Sequence, residues 1–148
     1  PAARTVPPMN IDPTIIQHNP TPLYTDPAYI VELQRKDSEI AQIIDHILQN
    51  KQLPKHIIST WSSFGKTLVH QFERLTINSN NVLCRIYVNI GSTDTLQAII
   101  PQQHRMKFLQ QLHIDCGHLG KNRLQHAVKQ RAYWPGWSSD ISRLKLQC

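Results

Sequence analysis

The sequence has little of what marks membrane, secreted and disulfide-rich proteins. Its 148 residues contain no run of eighteen apolar residues, so no transmembrane helix is predicted and no membrane partner is expected. The first residues lack the apolar core of a signal peptide. The three cysteines, Cys84, Cys116 and Cys148, are too few and of the wrong parity for the disulfide framework of a small secreted domain, which favours an intracellular location.

Acidic residues are also scarce in the last third of the chain. Residues 101–148 contain only Asp115 and Asp140 against eight lysines and arginines, whereas residues 1–100 have eight acidic and eight basic residues. The whole net charge of +6 therefore lies after residue 100. A phosphate backbone is the commonest partner of so concentrated a positive charge, and a solvated basic face is the alternative.

The prolines separate a leader from the rest of the chain. Seven of the ten prolines fall within residues 1–28, which predicts an extended leader or linker because proline fixes φ and removes a backbone donor. Residues 29–100 follow with the apolar spacing of a small α+β module, which ends at Pro101. The expected elements are a helix over residues 27–50 with Asp26 as its N-cap, a helical stretch over 54–72, and strands over 75–77, 82–88 and 95–100.

Residues 101–148 predict three short helices with few large apolar side chains. The first is expected to run into His113, the second to carry Leu124, and the third to have Ser138, Ser139 or Asp140 as its N-cap. At about 25 cal/mol per Å² of buried apolar surface, so small a core barely offsets the entropy of ordering the chain, so a bound metal is expected to stabilise it. His113 and His118 have four residues between them, and Cys148 follows His118 after 29 more. Imidazole and thiolate groups are ligands of tetrahedral zinc. An incidental pair of histidines is the alternative.

The residues around the two histidines carry a family resemblance. The run His113-x4-His118-Leu119-Gly120, the turn Tyr133-Trp134-Pro135-Gly136, and then Asp140-Ile141 and Cys148 resemble the amino-terminal zinc domain of retroviral and gypsy-type LTR-retrotransposon integrases. Trp137 stands where that family often has Met. A looser resemblance, to the amino-terminal extension module of spumavirus, gammaretrovirus and gypsy integrases, runs through Gln34-x2-Asp37, Leu83-Cys84-Arg85, Ile99-Ile100-Pro101 and Arg105.

The resemblance implies a structural Zn²⁺ ion with a His2Cys2 ligand set. His113, His118 and Cys148 are the implied ligands, and the second cysteine is expected two residues after Cys148, beyond the end of this chain, which is therefore interpreted as a fragment. Cys116 is an alternative fourth ligand, but a loop side chain is the favoured interpretation because it lies on the short loop between the histidines. A closed site of this kind fixes the helices and leaves no position for a substrate.

With zinc bound, the second and third helices of this domain resemble a helix-turn-helix. Basic side chains on the exposed side of the second helix, or at its end, are expected to contact DNA, where lysines meet phosphates and arginines also fork to a base edge. Trp134 and Trp137 are expected to pack against the zinc core rather than to stack on bases. His104 and His126 are interpreted as surface or DNA-facing residues. The predicted DNA-binding residues are Lys121, Arg123, Lys129 and Arg131.

The predicted fold class is α+β, with a helix and three-stranded-sheet module over residues 29–100 and an all-α zinc domain over residues 101–148. By resemblance, the chain is the non-catalytic amino-terminal part of an integrase, without the Asp-Asp-Glu triad that holds the catalytic metal ions. Its expected partners are element-end DNA, target DNA and other integrase subunits, in the nucleus and in cytoplasmic virus-like particles. The alternatives are a host protein derived from such an element, with the zinc module serving in nucleic-acid or protein binding, and a metal-free basic helical domain.

Overall fold

The computed structural model describes residues 23–118 and 120–144. Within these ranges the chain forms seven α-helices and a four-stranded sheet, which confirms the α+β fold class. None of these helices has the length and apolar character needed to cross a membrane. Most of the expected leader, and Cys148, lie outside the described residues. The elements are α1 Pro27–Lys36, α2 Ser38–Gln49, α3 Lys55–Ile58, α4 Ser63–His70, β1 Leu75–Ile77, β2 Leu83–Tyr87, β3 Thr95–Ile99, α5 Arg105–Asp115, α6 Lys121–Lys129, β4 Ala132–Tyr133 and α7 Trp137–Arg143.

The helices of the first hundred residues are shorter than the apolar spacing predicts. The expected first helix is two helices, because Asp37 has an extended backbone and its side chain accepts a hydrogen bond from the backbone N–H of Ile40 (3.0 Å) at the start of α2. The second stretch is likewise divided into α3 and α4, and Ser62 caps α4 by accepting from the N–H of Gly65. Side-chain caps therefore set these boundaries, while the apolar stripe continues across them. The predicted cap at Asp26 is confirmed by its bond to the N–H of Ala28 (3.0 Å).

The helices of the last third begin near the expected places, with one exception. Helix α5 runs through His113 as predicted, and α6 carries the buried Leu124. Helix α7 was expected to be capped by Ser138, Ser139 or Asp140, but it begins at Trp137, directly after Gly136 in the left-handed region (φ 86°), with no side-chain cap. The turn at Gly136 therefore sets where this helix begins, since a residue without a Cβ adopts positive φ readily.

The sheet contains strands from both sides of residue 100. Strands β1, β2 and β3 pair antiparallel, as expected. A fourth strand, which the sequence did not predict, adds β4 parallel to β3, with Ala98 opposite Ala132 and Ile99 opposite Tyr133. The N–H of Ala98 donates to the carbonyl of Arg131 (2.9 Å). Residues on both sides of residue 100 thus belong to one sheet.

The hydrophobic core is also shared between residues 23–100, here the first region, and residues 101–144, the second region. One contiguous cluster contains Ile40 and Leu83 of the first region together with Leu109 and Trp134 of the second, all at most 1% exposed. The division into two modules near residue 100 stays a prediction. In the structure, the two regions pack against each other through one shared sheet and one shared core.

A buried amide fixes the first helix to the sheet. Gln34 in α1 is fully buried, and its Nε2 donates to the carbonyls of Leu83 (3.0 Å) and Ile99 (2.8 Å). Its Oε1 accepts from the N–H of Leu83 (2.8 Å). Three hydrogen bonds satisfy this buried polar side chain, so it ties β2 and β3 to α1 without an unpaired group.

Candidate metal centre and basic surface

Two histidines come together at the end of α5. His113 lies in the last turn of that helix and is 5% exposed, whereas His118 follows on an exposed loop. Gly117 (φ 83°) and His118 (φ 60°) both adopt left-handed backbone conformations, which reverse the chain after the helix. The N–H of His118 donates to the carbonyl of His113 (2.7 Å), and the two rings stand nearly perpendicular with centroids 5.0 Å apart.

This geometry fits two ligands of one zinc ion. Two imidazoles that bind a tetrahedral zinc through Zn–N bonds of about 2.0–2.1 Å have ring centres about 5 Å apart. The third predicted ligand, Cys148, lies outside the described residues. In the part of the chain that the structure describes, no group of three or more His, Cys, Asp or Glu side chains is arranged to hold a metal. The His113, His118 and Cys148 ligand set therefore stays a prediction, supported by the spacing of the two rings.

Cys116, His126 and His104 have surroundings that differ from those of the His113–His118 pair. Cys116, the alternative ligand, has a half-buried free thiol and lines an open groove along α6 together with His126, Arg123 and Arg131. His126 is exposed there, as expected. His104, expected at the surface, is instead half-buried, and its Nδ1 lies 3.1 Å from the hydroxyl of Tyr24. Burial, together with the positive charges of Lys107 and Lys36, lowers the pKa of His104 below its ordinary value.

The four predicted DNA-binding residues do not share one free surface. Lys121 is exposed, but its Nζ donates to the carbonyl of Ser142 (2.7 Å). Arg131 donates to the carbonyl of Ala127 (2.8 Å), which bends its side chain back over α6.

The remaining two residues of that set differ in what they face. Lys129 turns towards the sheet, with its Nζ 4.8 Å from the ring centre of Tyr87. Arg123 is exposed along the groove of α6 and, among the described residues, makes no hydrogen bond, ion pair or ring contact. Arg123 is therefore the one of the four whose guanidinium is wholly available for a partner.

The two tryptophans pack as expected. Trp134 is fully buried, stacks edge-on against Phe108 with centroids 5.9 Å apart, and donates from Nε1 to Asp140 (2.8 Å). Arg143 pairs with the same carboxylate (2.6 Å). Trp137 is partly buried against the core. The motif residues Trp134 and Asp140 thus stabilise the turn into α7, and Trp134 is not available to stack on a base.

Arg105 and Arg85 make aromatic contacts in the structure but were not among the functional residues that the sequence predicted. Arg105 lies with its guanidinium carbon 4.7 Å from the ring centre of Phe64, and its Nε and Nη2 are buried without a hydrogen-bond partner among the described residues. Arg85 lies 4.3 Å above the ring of Tyr133. Both appeared in the sequence only as parts of the family resemblance. The distribution of charge along the sequence did not point to Arg85, because the first hundred residues have no net charge.

Comparison with known families gives one match. Residues 100–148 match the family described as the integrase zinc binding domain. The match covers the last third of the chain, including both histidines and Cys148, and it confirms the resemblance for that part. No curated protein and no solved structure matches the chain.

Proposed function

Because residues 100–148 carry an integrase zinc binding domain, a non-catalytic region of integrases, we propose that this chain is an amino-terminal part of an LTR-retrotransposon or retrovirus-type integrase. In this proposal it binds element-end and target DNA and associates with other integrase subunits, in the nucleus and in virus-like particles. The observation that carries the proposal is the pair of imidazoles 5.0 Å apart, His113 and His118, within the matched residues.

The zinc site would be formed by His113, His118, Cys148 and a further cysteine. Bound zinc supplies folding free energy to a region whose helices are short, because metal binding to a structural site is coupled to folding. The buried His113 belongs to α5, and His118 lies three residues before the first residue of α6, Lys121. A ligand set that spans these positions would fix α5 against α6 and so hold the exposed face of α6 in place.

DNA binding is supported by the charge of the second region. The chain's whole excess of +6 lies after residue 100, and Arg123 and His126 line an open groove on α6. Positive side chains that neutralise phosphates release counterions, so the affinity for DNA is expected to fall steeply with salt. The exposed guanidinium of Arg123 is the first candidate for a forked contact to phosphate or to a base edge.

A zinc titration tests the metal part of this proposal. We expect a chain that extends a few residues past Cys148 to bind one zinc ion, measured by native mass spectrometry, and to gain helical circular dichroism when zinc is added after chelation. His118→Ala should abolish that binding, because it removes one of the two converging imidazoles. His126→Ala is the matched control, since His126 is an exposed histidine outside the ligand set, and it should bind zinc normally.

Two results would contradict the zinc site. A circular dichroism spectrum that is the same with zinc and with chelator would mean that the second region folds without metal. Equal zinc content in His118→Ala and His126→Ala would mean that the two imidazoles do not form the site.

A further inference from the structure

On one face of the sheet, a positively charged side chain of each region lies over a tyrosine ring of the other region. Arg85 in β2 lies 4.3 Å above the ring of Tyr133 in β4, and the Nζ of Lys129 in α6 lies 4.8 Å above the ring of Tyr87 in β2. Arg85 and Tyr87 are two residues apart on one strand, so their side chains leave the same face of the sheet about 6.7 Å apart. Each region thus places a cation on a tyrosine of the other.

A third cation lies beside this pair. Arg74 is exposed and lines one shallow groove together with Arg85, Tyr133 and the acidic side chain of Glu73. The seam surface is defined here as Arg74, Arg85 and Lys129 together with the two tyrosine rings, Tyr87 and Tyr133.

Neutral groups hold Arg85 in place. Its Nε donates to the Oε1 of Gln71 (2.8 Å) and its Nη1 to the Oε1 of Gln97 (3.1 Å). Gln71 in turn donates to the hydroxyl of Tyr133 (2.7 Å), and Gln97 donates to the carbonyl of Lys129 (2.7 Å). The guanidinium is therefore fixed flat against a ring by two amides, and the same amides connect it to the second region.

Among the described residues, the cations of the seam surface form no ion pair. Three ion pairs occur among the described residues, and they use Arg35, Lys36 and Arg143. No carboxylate in the described ranges lies within 4.0 Å of the charged groups of Arg74, Arg85 or Lys129. A half-buried cation is costly unless an opposite charge approaches it, so an ordered guanidinium without a carboxylate is suited to receive an anion from outside.

The arrangement of the cations indicates which anion fits. They are spread along the sheet and onto α6 instead of converging on one point, which suits a polyanion better than a small ion. Both tyrosine rings are already covered by the chain's own cations, so they are not free to stack on unpaired bases. Contacts to the backbone of a duplex need only charged and hydrogen-bonding groups and are independent of sequence.

We propose that the seam surface binds the phosphate backbone of duplex DNA. The inference rests on the proposed DNA-binding function and adds a second contact area to it, formed jointly by the two regions. The first region is neutral overall, yet it contributes Arg74 and Arg85 to the DNA contact. The two regions therefore bind DNA as one unit, since the pairing of β3 with β4 places Tyr133 under Arg85.

Duplex binding by the full chain tests this inference. The probe is a fluorescein-labelled duplex of about 20 base pairs, titrated at several salt concentrations. Arg74→Gln with Arg85→Gln should weaken binding by about tenfold or more at low salt and reduce the salt slope by about 2, since each phosphate contact contributes about 0.9. The matched control, Lys55→Gln with Lys66→Gln, removes two exposed charges from the same region outside the seam surface and should keep the slope.

Single substitutions keep the test independent of folding. Arg74 is exposed, and its guanidinium makes no hydrogen bond or ion pair among the described residues, so Arg74→Gln alone should leave thermal unfolding unchanged and reduce the slope by about 1. Glu73→Gln removes the acidic side chain of the groove and should tighten binding. Arg85→Lys keeps the charge and should keep the slope.

The possible failures are distinguishable. If Arg123→Ala weakens duplex binding while the Arg74 and Arg85 variants behave like the lysine control, the seam surface is overturned and the proposed DNA-binding function stands. If the unsubstituted chain does not bind the duplex, both are overturned. A Glu73→Gln variant that binds no tighter, together with an unchanged slope for Arg74→Gln, would also overturn the seam surface.

Discussion

The first and second regions are stabilised in different ways, although they share one sheet and one core. The first region buries aliphatic side chains such as Ile40, Ile43 and Leu68 completely and ties its helix α1 to the sheet through Gln34. The second region also buries Leu109, Leu124 and Ile141 completely, and its largest buried side chain is the aromatic Trp134.

The charges of the two regions differ in the same sense. Residues 1–100, which include the first region, have no net charge, and the first region forms ion pairs such as Arg35 with Asp45 (3.0 Å). The net charge of +6 lies after residue 100. Self-repulsion of that charge opposes compaction unless counterions or an anionic partner reduce it. The charge difference predicts that an anionic partner stabilises the second region more than the first.

Among the substitutions that test this comparison, Gln34→Met in the first region is expected to lower the free energy of unfolding most. The substitution keeps the shape but leaves the N–H and carbonyl of Leu83 and the carbonyl of Ile99 without their partner. Since an unsatisfied buried group costs about 1–3 kcal/mol, the free energy of unfolding should fall by about 3 kcal/mol or more, measured by urea unfolding. The exposed Gln49→Met is the control and should change it by less than about 0.5 kcal/mol. A loss below about 1 kcal/mol for Gln34→Met would mean that the amide does not stabilise the first region.

A smaller effect is expected from Trp134→Phe in the second region. The substitution removes part of a fully buried ring and the donor to Asp140, so the free energy of unfolding should fall by about 2 kcal/mol. Trp137→Phe is a matched control three residues further on, because Trp137 is only partly buried and its indole N–H donates no hydrogen bond to a described residue. If the two variants are equally stable, the Trp134–Asp140 bond does not stabilise the turn into α7.

The smallest expected effect is a pH dependence of stability that arises from His104, at the boundary between the regions. The pKa of His104 is lowered in the folded chain, by burial first and then by Lys107 and Lys36. The unfolded chain therefore binds more protons than the folded chain just below the ordinary value of about 6.5, and stability falls as the pH drops through that window. His104→Asn should reduce this pH dependence, measured by thermal unfolding between about pH 5.5 and 7.5.

The exposed His56→Asn variant serves as the reference for that measurement. An unchanged slope for His104→Asn relative to His56→Asn would show that burial and the charges of Lys107 and Lys36 do not favour the neutral ring of His104.

Local patterns in the sequence predicted a large part of the fold. Strands β1 to β3, the cap at Asp26, the helix that runs through His113 and the packing of Trp134 were all read from residues a few positions apart, and the structure confirms them. Such features depend on spacing along the chain and on turn chemistry, which the sequence displays directly. The family resemblance over the last third is confirmed in the same way, by a motif that is contiguous in the sequence.

Apart from the helix boundaries set by local caps, the features that the sequence did not predict involve residues far apart in the chain. Gln34 bonds to Ile99 across 65 residues, and Gln71 bonds to Tyr133 across 62. Strand β4 has only two residues, too few for an alternating pattern, and it is defined by its pairing with β3. Lys129 of α6 lies with its Nζ 4.8 Å from the ring centre of Tyr87, a contact that exists only because the sheet lies beside that helix.

The amino-acid sequence by itself determined the α+β class, the positions of most elements and the pair of histidines, since hydrophobic period, caps and motif spacing are local properties. Only the tertiary structure decided that one sheet crosses residue 100 and that Arg85 and Lys129 lie on each other's tyrosines. The physical reason is that the burial and charge environment of a side chain depend on which distant residues surround it, and local spacing carries no record of those neighbours.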